Sequence, residues 1–261
     1  MDSIALDLGF IHIYWYSIFL LLGITAAILI INKELKNRNY SENFKVDLIF
    51  NMILFGIIGA RIYYVIFNLS HYISNPIEIF QIWNGGLAIH GGLLFGFISV
   101  CYTCKKNKVK LLEVLDILVV GLIIGQAIGR WGNFFNSEAY GTITTVQHLR
   151  SIGIPNFIID GMYILGEYRQ PTFFYEFIFN LIGFAILLIY RWYLRKKKSI
   201  NNGKLFGLYL VWYSVVRFFI EGIRTDSLMF GPLKMAQLVS IVLCLVGIYF
   251  LFLKNKKSKT I

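Results

Sequence analysis

Gly129-Arg130-Trp131-Gly132-Asn133-Phe134-Phe135-Asn136-Ser137-Glu138-Ala139-Tyr140-Gly141 places one arginine, two asparagines and one glutamate directly behind an apolar run that begins near Leu112. Ionisable groups at the end of a helix in lipid are costly unless they pair or bind something, so this stretch reads as a functional site at a membrane surface. The plainer reading is a helix end whose polar groups only cap and snorkel.

Composition supports the membrane setting. A chain of 261 residues that is 57% hydrophobic, 17% aromatic and 15% charged carries too much apolar surface for one soluble core. Its formal charge of +11 does not point to nucleic acid, because the basic residues do not gather on one soluble face. Four Lys or Arg fall in 32–47, four in 104–112, six in 191–204 and four in 254–261, which places 18 of the 25 on alternate loops. The positive-inside rule makes those loops cytoplasmic. Apolar stretches near 13–31, 48–67, 87–103, 112–130, 173–192, 205–220 and 233–253 are long enough to span the bilayer. The expected fold is therefore an all-α polytopic membrane protein, a single membrane domain over 1–261 with seven transmembrane helices. The N-terminus is external and the C-terminus cytoplasmic, with the basic tail 254–259 as a positive-inside anchor. The first 30 residues lack a basic n-region and an Ala-x-Ala cleavage site and read as a retained helix.

Several polar features punctuate the spans. Arg61 follows Gly56 and Ala60, small residues that admit a neighbouring helix, and is expected to face inward. The loop 68–86 has no Lys or Arg, and its segment Ile77 to Trp83 is suited to the membrane interface. His90 sits among paired glycines in Gly85-Gly86-Leu87-Ala88-Ile89-His90-Gly91-Gly92; on the residues alone it reads as a core imidazole more readily than as a site residue. Gly121, Gly125 and Gly129 form a small-residue stripe for close packing. Between 131 and 172 the chain is polar and irregular, which predicts a small external head between the fourth and fifth spans, with Asp160-Gly161 as a hairpin turn. Pro171 opens the fifth span, and Glu176 should face the bundle. Tyr213, Arg217, Glu221 and Arg224 recur at helical spacing as a polar rail, although a self-neutralising Arg217–Glu221 pair is the plainer reading. Cys101-x-x-Cys104 lies at a cytoplasmic helix end without a second ligand pair and reads as ordinary helix sequence. There is no Walker loop, His-Glu-x-x-His or Gly-x-Ser-x-Gly.

Arg-x-Gly-Asn-Phe-x-Asn-x-Glu-x-x-Gly from Arg130 to Gly141 resembles the signature of the prolipoprotein diacylglyceryl transferase family. Tyr14-Trp15-Tyr16, Gly59-Ala60-Arg61, Gly85 to Gly96, Pro171 to Glu176 and Arg217 to Arg224 extend the resemblance over nearly the whole chain. Tyr14, Asn84, Gln170 and Thr172 depart from the His, Asp, His and Ser usual in that family. The resemblance implies a bacterial cell-membrane enzyme that moves the diacylglyceryl group of phosphatidylglycerol onto the lipobox cysteine of a preprolipoprotein and releases glycerol phosphate. No plausible metal-ligand set occurs in the sequence, so neither a metal nor a cofactor is expected. His90, Arg130, Arg217 and Tyr16 would be catalytic; Arg130, Asn133, Asn136, Glu138, Glu221, Arg224 and Arg61 would bind substrate. Several guanidiniums near an external surface suit a phosphate, which they grip through two parallel N–H donors. The partners would be the lipid, the signal-peptide and lipobox region, and membrane lipids, with no nucleic acid. The rival readings are an anionic-lipid or solute transporter, which calls for polar groups at the midplane of two related halves, and a sensor or anchoring module.

Overall fold

The computed structural model describes residues 3–9, 12–196 and 203–252; the basic tail 254–259 lies outside them. A short hairpin of β1 (Ile4–Asp7) and β2 (His12–Tyr14) precedes α1 (Trp15–Asn37), α2 (Glu42–Phe67), α3 (Leu69–Ser74), α4 (Ile89–Lys106) and α5 (Leu111–Phe135). Next come α6 (Val146–Ser151), α7 (Asn156–Gly161), a hairpin of β3 (Tyr163–Ile164) and β4 (Glu167–Tyr168), α8 (Thr172–Lys196) and α9 (Lys204–Ile223). A third hairpin, β5 (Met229–Phe230) with β6 (Leu233–Lys234), leads into α10 (Met235–Phe252).

Among the described residues six helices, α1, α2, α5, α8, α9 and α10, are long and apolar enough to cross a membrane, so the chain is a helical, polytopic membrane protein. The fourth helix coincides with another expected span, but its 18 residues carry His90 near one end and Lys105 and Lys106 at the other, which dilutes its apolar character.

The chain packs as two compact units, Met1–Ile31 with Leu115–Ile261, and Asn32–Val114. In the first, small residues let helices approach closely. A methyl group on Gly125 would lie 3.1 Å from the carbonyl oxygen of Gly23, and one on Gly207 2.8 Å from that of Gly247. Two of the three glycines in the expected stripe, Gly121 and Gly125, serve this packing against α1, whereas Gly129 faces open space. Val120, Ile123, Leu187, Leu205 and Tyr209 fill the core between α5, α8 and α9. Buried Asp116 accepts hydrogen bonds at 2.8 Å from the Gly203 and Phe206 amides, so a side chain of α5 caps the otherwise unpaired first turn of α9.

In the second unit α2 and α4 pack through Gly59 and Gly91; a methyl on Gly59 would sit 2.7 Å from the Gly91 carbonyl oxygen. Asn51 Nδ2 donates to Thr103 Oγ1 across the pair at 3.0 Å, and Ser41 caps α2 by accepting from the Phe44 amide. The Tyr40 hydroxyl, between α1 and α2, donates to Glu113 at 3.2 Å. Burial, and then the Glu113 carboxylate, push that phenol up to about 12, so it remains a donor across the physiological range.

The expected Asp160-Gly161 hairpin is displaced. Pro155 starts a helical turn over Asn156–Gly161, and the hairpin follows it, turning at Leu165 and Gly166 with φ of 56° and 81°. Two consecutive positive φ values define the two-residue turn whose twist suits a hairpin. The turn was therefore placed by backbone conformation at Leu165-Gly166 and not by the Asp-Gly pair.

Candidate active site

The C-terminal turn of α5 delivers Arg130 and Asn133 to the start of an irregular segment in which Ser137 and Ala139 take left-handed φ values of 51° and 57°. Non-glycine residues hold that conformation only when their surroundings fix it. Here the Ala139 amide donates to Asp226 Oδ2 at 3.0 Å and the Ala139 carbonyl accepts from the Thr172 hydroxyl. The tight bend returns Glu138 to Asn133, whose Nδ2 donates to Glu138 Oε1 at 2.8 Å, while Asn136 donates to the same oxygen at 3.5 Å. Asn133 Oδ1 in turn accepts from Arg130 Nη1 at 3.2 Å.

Glu176, 4% exposed on the first turns of α8, is the centre of the arrangement. One carboxylate oxygen pairs with Arg130 Nη2 and the other accepts from Arg217 Nη1 at 2.7 Å. Arg217 Nη2 lies 2.6 Å from Glu221 Oε2, one helical turn on, and Arg224 Nη1 lies 3.8 Å from that oxygen. Asp226 closes the chain through Arg224 Nε at 2.9 Å. The result is a continuous line of alternating charge in which every arginine has a carboxylate partner. Such a network holds each guanidinium in one orientation and shares the desolvation cost of burial among several ions.

Backbone pairing fixes the frame around these side chains. Residues 141–144 lie between two other segments. The Gly141 amide donates to the Gln170 carbonyl at 2.9 Å and the Thr144 amide to Tyr168 at 2.8 Å on one side, while the Thr142 amide donates to Ile223 at 3.0 Å on the other. Lys234 Nζ caps the end of α9 through the carbonyls of Glu221, Gly222 and Arg224 at 2.6–3.1 Å. Tyr16 packs on Gly132, where an added methyl would meet its ring at 2.8 Å. Its neighbour Trp15 stacks on Phe135 with centroids 4.8 Å apart.

Eight of the residues singled out from sequence, Tyr16, Arg130, Asn133, Asn136, Glu138, Arg217, Glu221 and Arg224, thus belong to one unit. Arg61 and His90 belong to the other. Arg61 is inward and 7% exposed; its Nε donates to the Ile79 carbonyl at 2.8 Å, Nη1 to those of Gly85 and Gly86 at 2.8 and 3.0 Å, and Nη2 to that of Glu78. Its guanidinium also lies over the Tyr72 ring, so this arginine clamps the loop 78–86. That clamp leaves Ile77, Phe80 and Trp83 at least three-quarters exposed, an apolar face of the kind expected of an interfacial segment. His90 is exposed in the first turn of α4, near the Tyr63 ring.

Two further carboxylates, Glu176 and Asp226, complete the pairing of the arginines. The sequence reading places Glu176 only on the inward face of its helix and gives Asp226, Thr172 and Lys234 no place in the site, where the structure brings all four. The available signal for Lys234 was its position, a lysine on the loops that otherwise carry few.

Asp226 also gives the site a pH signature. Burial raises its carboxyl pKa, but the Arg224 hydrogen bond and charge, with the Ala139 amide, outweigh that and hold it below the usual carboxylate range. A lowered folded-state pKa stabilises the fold fully above the unfolded value, near 3.9, and the gain is lost as pH falls through the folded value. Wild type and Asp226→Asn should therefore differ by a constant margin in melting temperature above the ordinary carboxylate range, and the margin should shrink as the pH falls through the lowered carboxyl pKa. A margin unchanged down to the most acid condition would remove the Arg224–Asp226 pair as its cause.

The family model for prolipoprotein diacylglyceryl transferase matches residues 3–253. Proteins named phosphatidylglycerol–prolipoprotein diacylglyceryl transferase are similar throughout. That of Staphylococcus xylosus is 45% identical over 261 residues, covering 100% of this chain and 92% of its own. That of Staphylococcus carnosus strain TM300 is 46% identical over 258 residues, covering 98% and 92%, and that of Staphylococcus aureus strain MSSA476 is 44% identical, covering 98% and 90%. Similarity of this extent, running through the signature stretch and every long helix, makes the chain a member of the prolipoprotein diacylglyceryl transferase family.

Proposed function

We propose that this protein transfers the diacylglyceryl group of phosphatidylglycerol to the lipobox cysteine of preprolipoproteins, the first step of lipoprotein maturation. The observation that carries the reading within the structure is Glu176 holding Arg130 and Arg217 on its two oxygens. Two guanidiniums fixed side by side present donors to one phosphate, since each nitrogen already bonded to Glu176 carries a second hydrogen.

The cysteine sulfur attacks the glyceryl carbon, a C–S bond forms, the C–O bond breaks, and its electron pair leaves on the oxygen of glycerol phosphate. Arg130 and Arg217 stabilise the charge that gathers there, as preorganised donors do. A thiol with a pKa near 8.5 must also lose its proton, and His90 is assigned that task or the positioning of the headgroup. Tyr16, packed on the signature, borders the reacting groups. Asn133, Asn136 and Glu138 bind glycerol hydroxyls, Glu221 orients Arg217 and Arg224, and Arg61 contributes from the loop that it organises. No cofactor or metal takes part in this scheme.

The protein lies in the bacterial cell membrane with α4 as a seventh span. At about 1.5 Å per residue its 18 residues reach roughly 27 Å, close to the hydrocarbon thickness. Residues 131–172 form the external head. A reporter after Ile261 and tags within 34–40 should be cytoplasmic and a tag near Pro155 external; an external C-terminus would refute the seven-span arrangement.

The activity is tested by incubating the purified protein with phosphatidylglycerol and a lipobox peptide and weighing the peptide. A diacylglyceryl increment on its cysteine is the expected result. Movement of lipid between leaflets without that increment would establish a transporter in its place.

A further inference from the structure

The arginines described above are committed in two ways. The site arginines pair with carboxylates, and Arg61 gives its N–H groups to four carbonyls. Arg169, between β4 and α8, does neither. Its Nε is buried with no hydrogen-bond partner, and among the described residues no carboxylate pairs with it. The guanidinium rests over the ring of Tyr140, 5.3 Å from its centroid.

A half-buried cation without a counter-charge, one N–H dry and unpaired, is an unfavourable state that persists when something else completes it. The aromatic face stabilises the charge without occupying a hydrogen-bond donor, so the fork of N–H groups remains uncommitted. Its place is defined. Arg169 pairs with Ile143 in an isolated bridge, and the next residue, Gln170, accepts the Gly141 amide; Gly141 in turn bridges to Arg224. Arg169 thus stands beside the last residue of the signature, on the segment next to the arginine line.

We infer that Arg169, backed by Tyr140, is a phosphate subsite apart from the Arg130–Arg217 pair, which receives glycerol phosphate after it leaves the reacting centre. On binding, the guanidinium turns from the ring and offers Nε and one η nitrogen to two oxygens of the phosphate, the geometry that arginine supplies and lysine does not. The identity of the ligand rests on the transferase reading; the phosphate subsite does not. The same chemistry would also receive the phosphodiester of an arriving lipid.

The test uses the full chain in nanodiscs and measures equilibrium binding of glycerol phosphate and the KM for phosphatidylglycerol, in wild type and in Arg169→Gln. Loss of a charged hydrogen-bonding pair should weaken glycerol phosphate binding by at least about tenfold, with product inhibition weakened in parallel and the KM within about twofold. A raised KM with unchanged glycerol phosphate binding would assign the subsite to the lipid headgroup and overturn the product assignment. Unchanged values for both in a variant with wild-type melting temperature would overturn the subsite altogether. If Arg169→Gln does not fold, Arg169→Lys decides. It retains one charge but no fork, so glycerol phosphate binding should still weaken several-fold, and wild-type binding would refute the inference. The binding arm needs no turnover, so a protein inactive in the peptide assay that still binds glycerol phosphate through Arg169 would disprove the transferase reading and leave the subsite standing.

Discussion

Arg130→Lys is expected to leave the protein inserted and folded while lowering thioether formation by at least about 10²-fold, the lower end of the usual cost of losing a transition-state donor. Lysine keeps the charge and the apolar stem, so a residue that only anchors topology or snorkels would be replaced almost without effect. It cannot reproduce the present geometry, in which Arg130 gives Nη1 to Asn133 and Nη2 to Glu176 at once. A lysine ammonium is a single point of charge, and reaching Glu176 would take it from Asn133 and loosen the Asn133–Glu138 link behind it. Turnover and melting temperature should be measured together at matched expression. Near-normal turnover would strike Arg130 from the phosphate-stabilising residues and leave the signature stretch with a structural role.

Glu176→Gln should affect both stability and activity. The carboxylate is 4% exposed and neutralises two guanidiniums from two other helices. Removing one partner of a buried ion pair leaves uncompensated charge and typically costs about 3–5 kcal/mol. The glutamine keeps the shape and one acceptor oxygen, so what is lost is charge and the ability to serve both arginines. The melting temperature should fall by several degrees, on the scale of about 2–4 °C per kcal/mol for a chain of roughly this size. Activity should fall even at temperatures where the variant is fully folded, because Arg130 and Arg217 no longer share one anchor. A variant with reduced stability but unchanged kcat would show that Glu176 holds the helices together without setting the geometry of the chemistry.

Local spacing explains which parts of this architecture were legible in the sequence. The long apolar runs became helices, because twenty or so apolar residues have few other favourable arrangements. Arg217 and Glu221 sit one turn apart on a single helix, so their pairing follows from helical periodicity. Arg130 and Asn133 are close for the same reason. Glu176 meeting both Arg130 and Arg217 depends on how α5, α8 and α9 lie against each other, and no short-range pattern encodes that. Asp226 enters the site because Arg224 leaves the helix in an extended conformation at the end of α9, and Thr172 because Ala139 turns left-handed. The hairpin turn was misplaced for a related reason: Asp160-Gly161 carries the commoner signal, but Pro155 draws those residues into a helical turn.

The frame around the arginines has a bearing on biosynthesis. Residues 141–144 are held on one side by 168–170 and on the other by Ile223, and the end of α9 is capped by Lys234. These partners leave the ribosome long after the signature stretch. Arg130 and Arg224 are separated by more than ninety residues, which at 5–20 residues per second is roughly 5–20 s of synthesis. Through that interval the nascent chain carries the signature and, until residue 176 emerges, has no acidic partner for Arg130 other than its local network with Glu138. A ribosome that stalls before residue 224 releases a protein with most of its helices and an unfinished site. The frame around the arginines in a new copy is therefore complete only after Lys234 has been added.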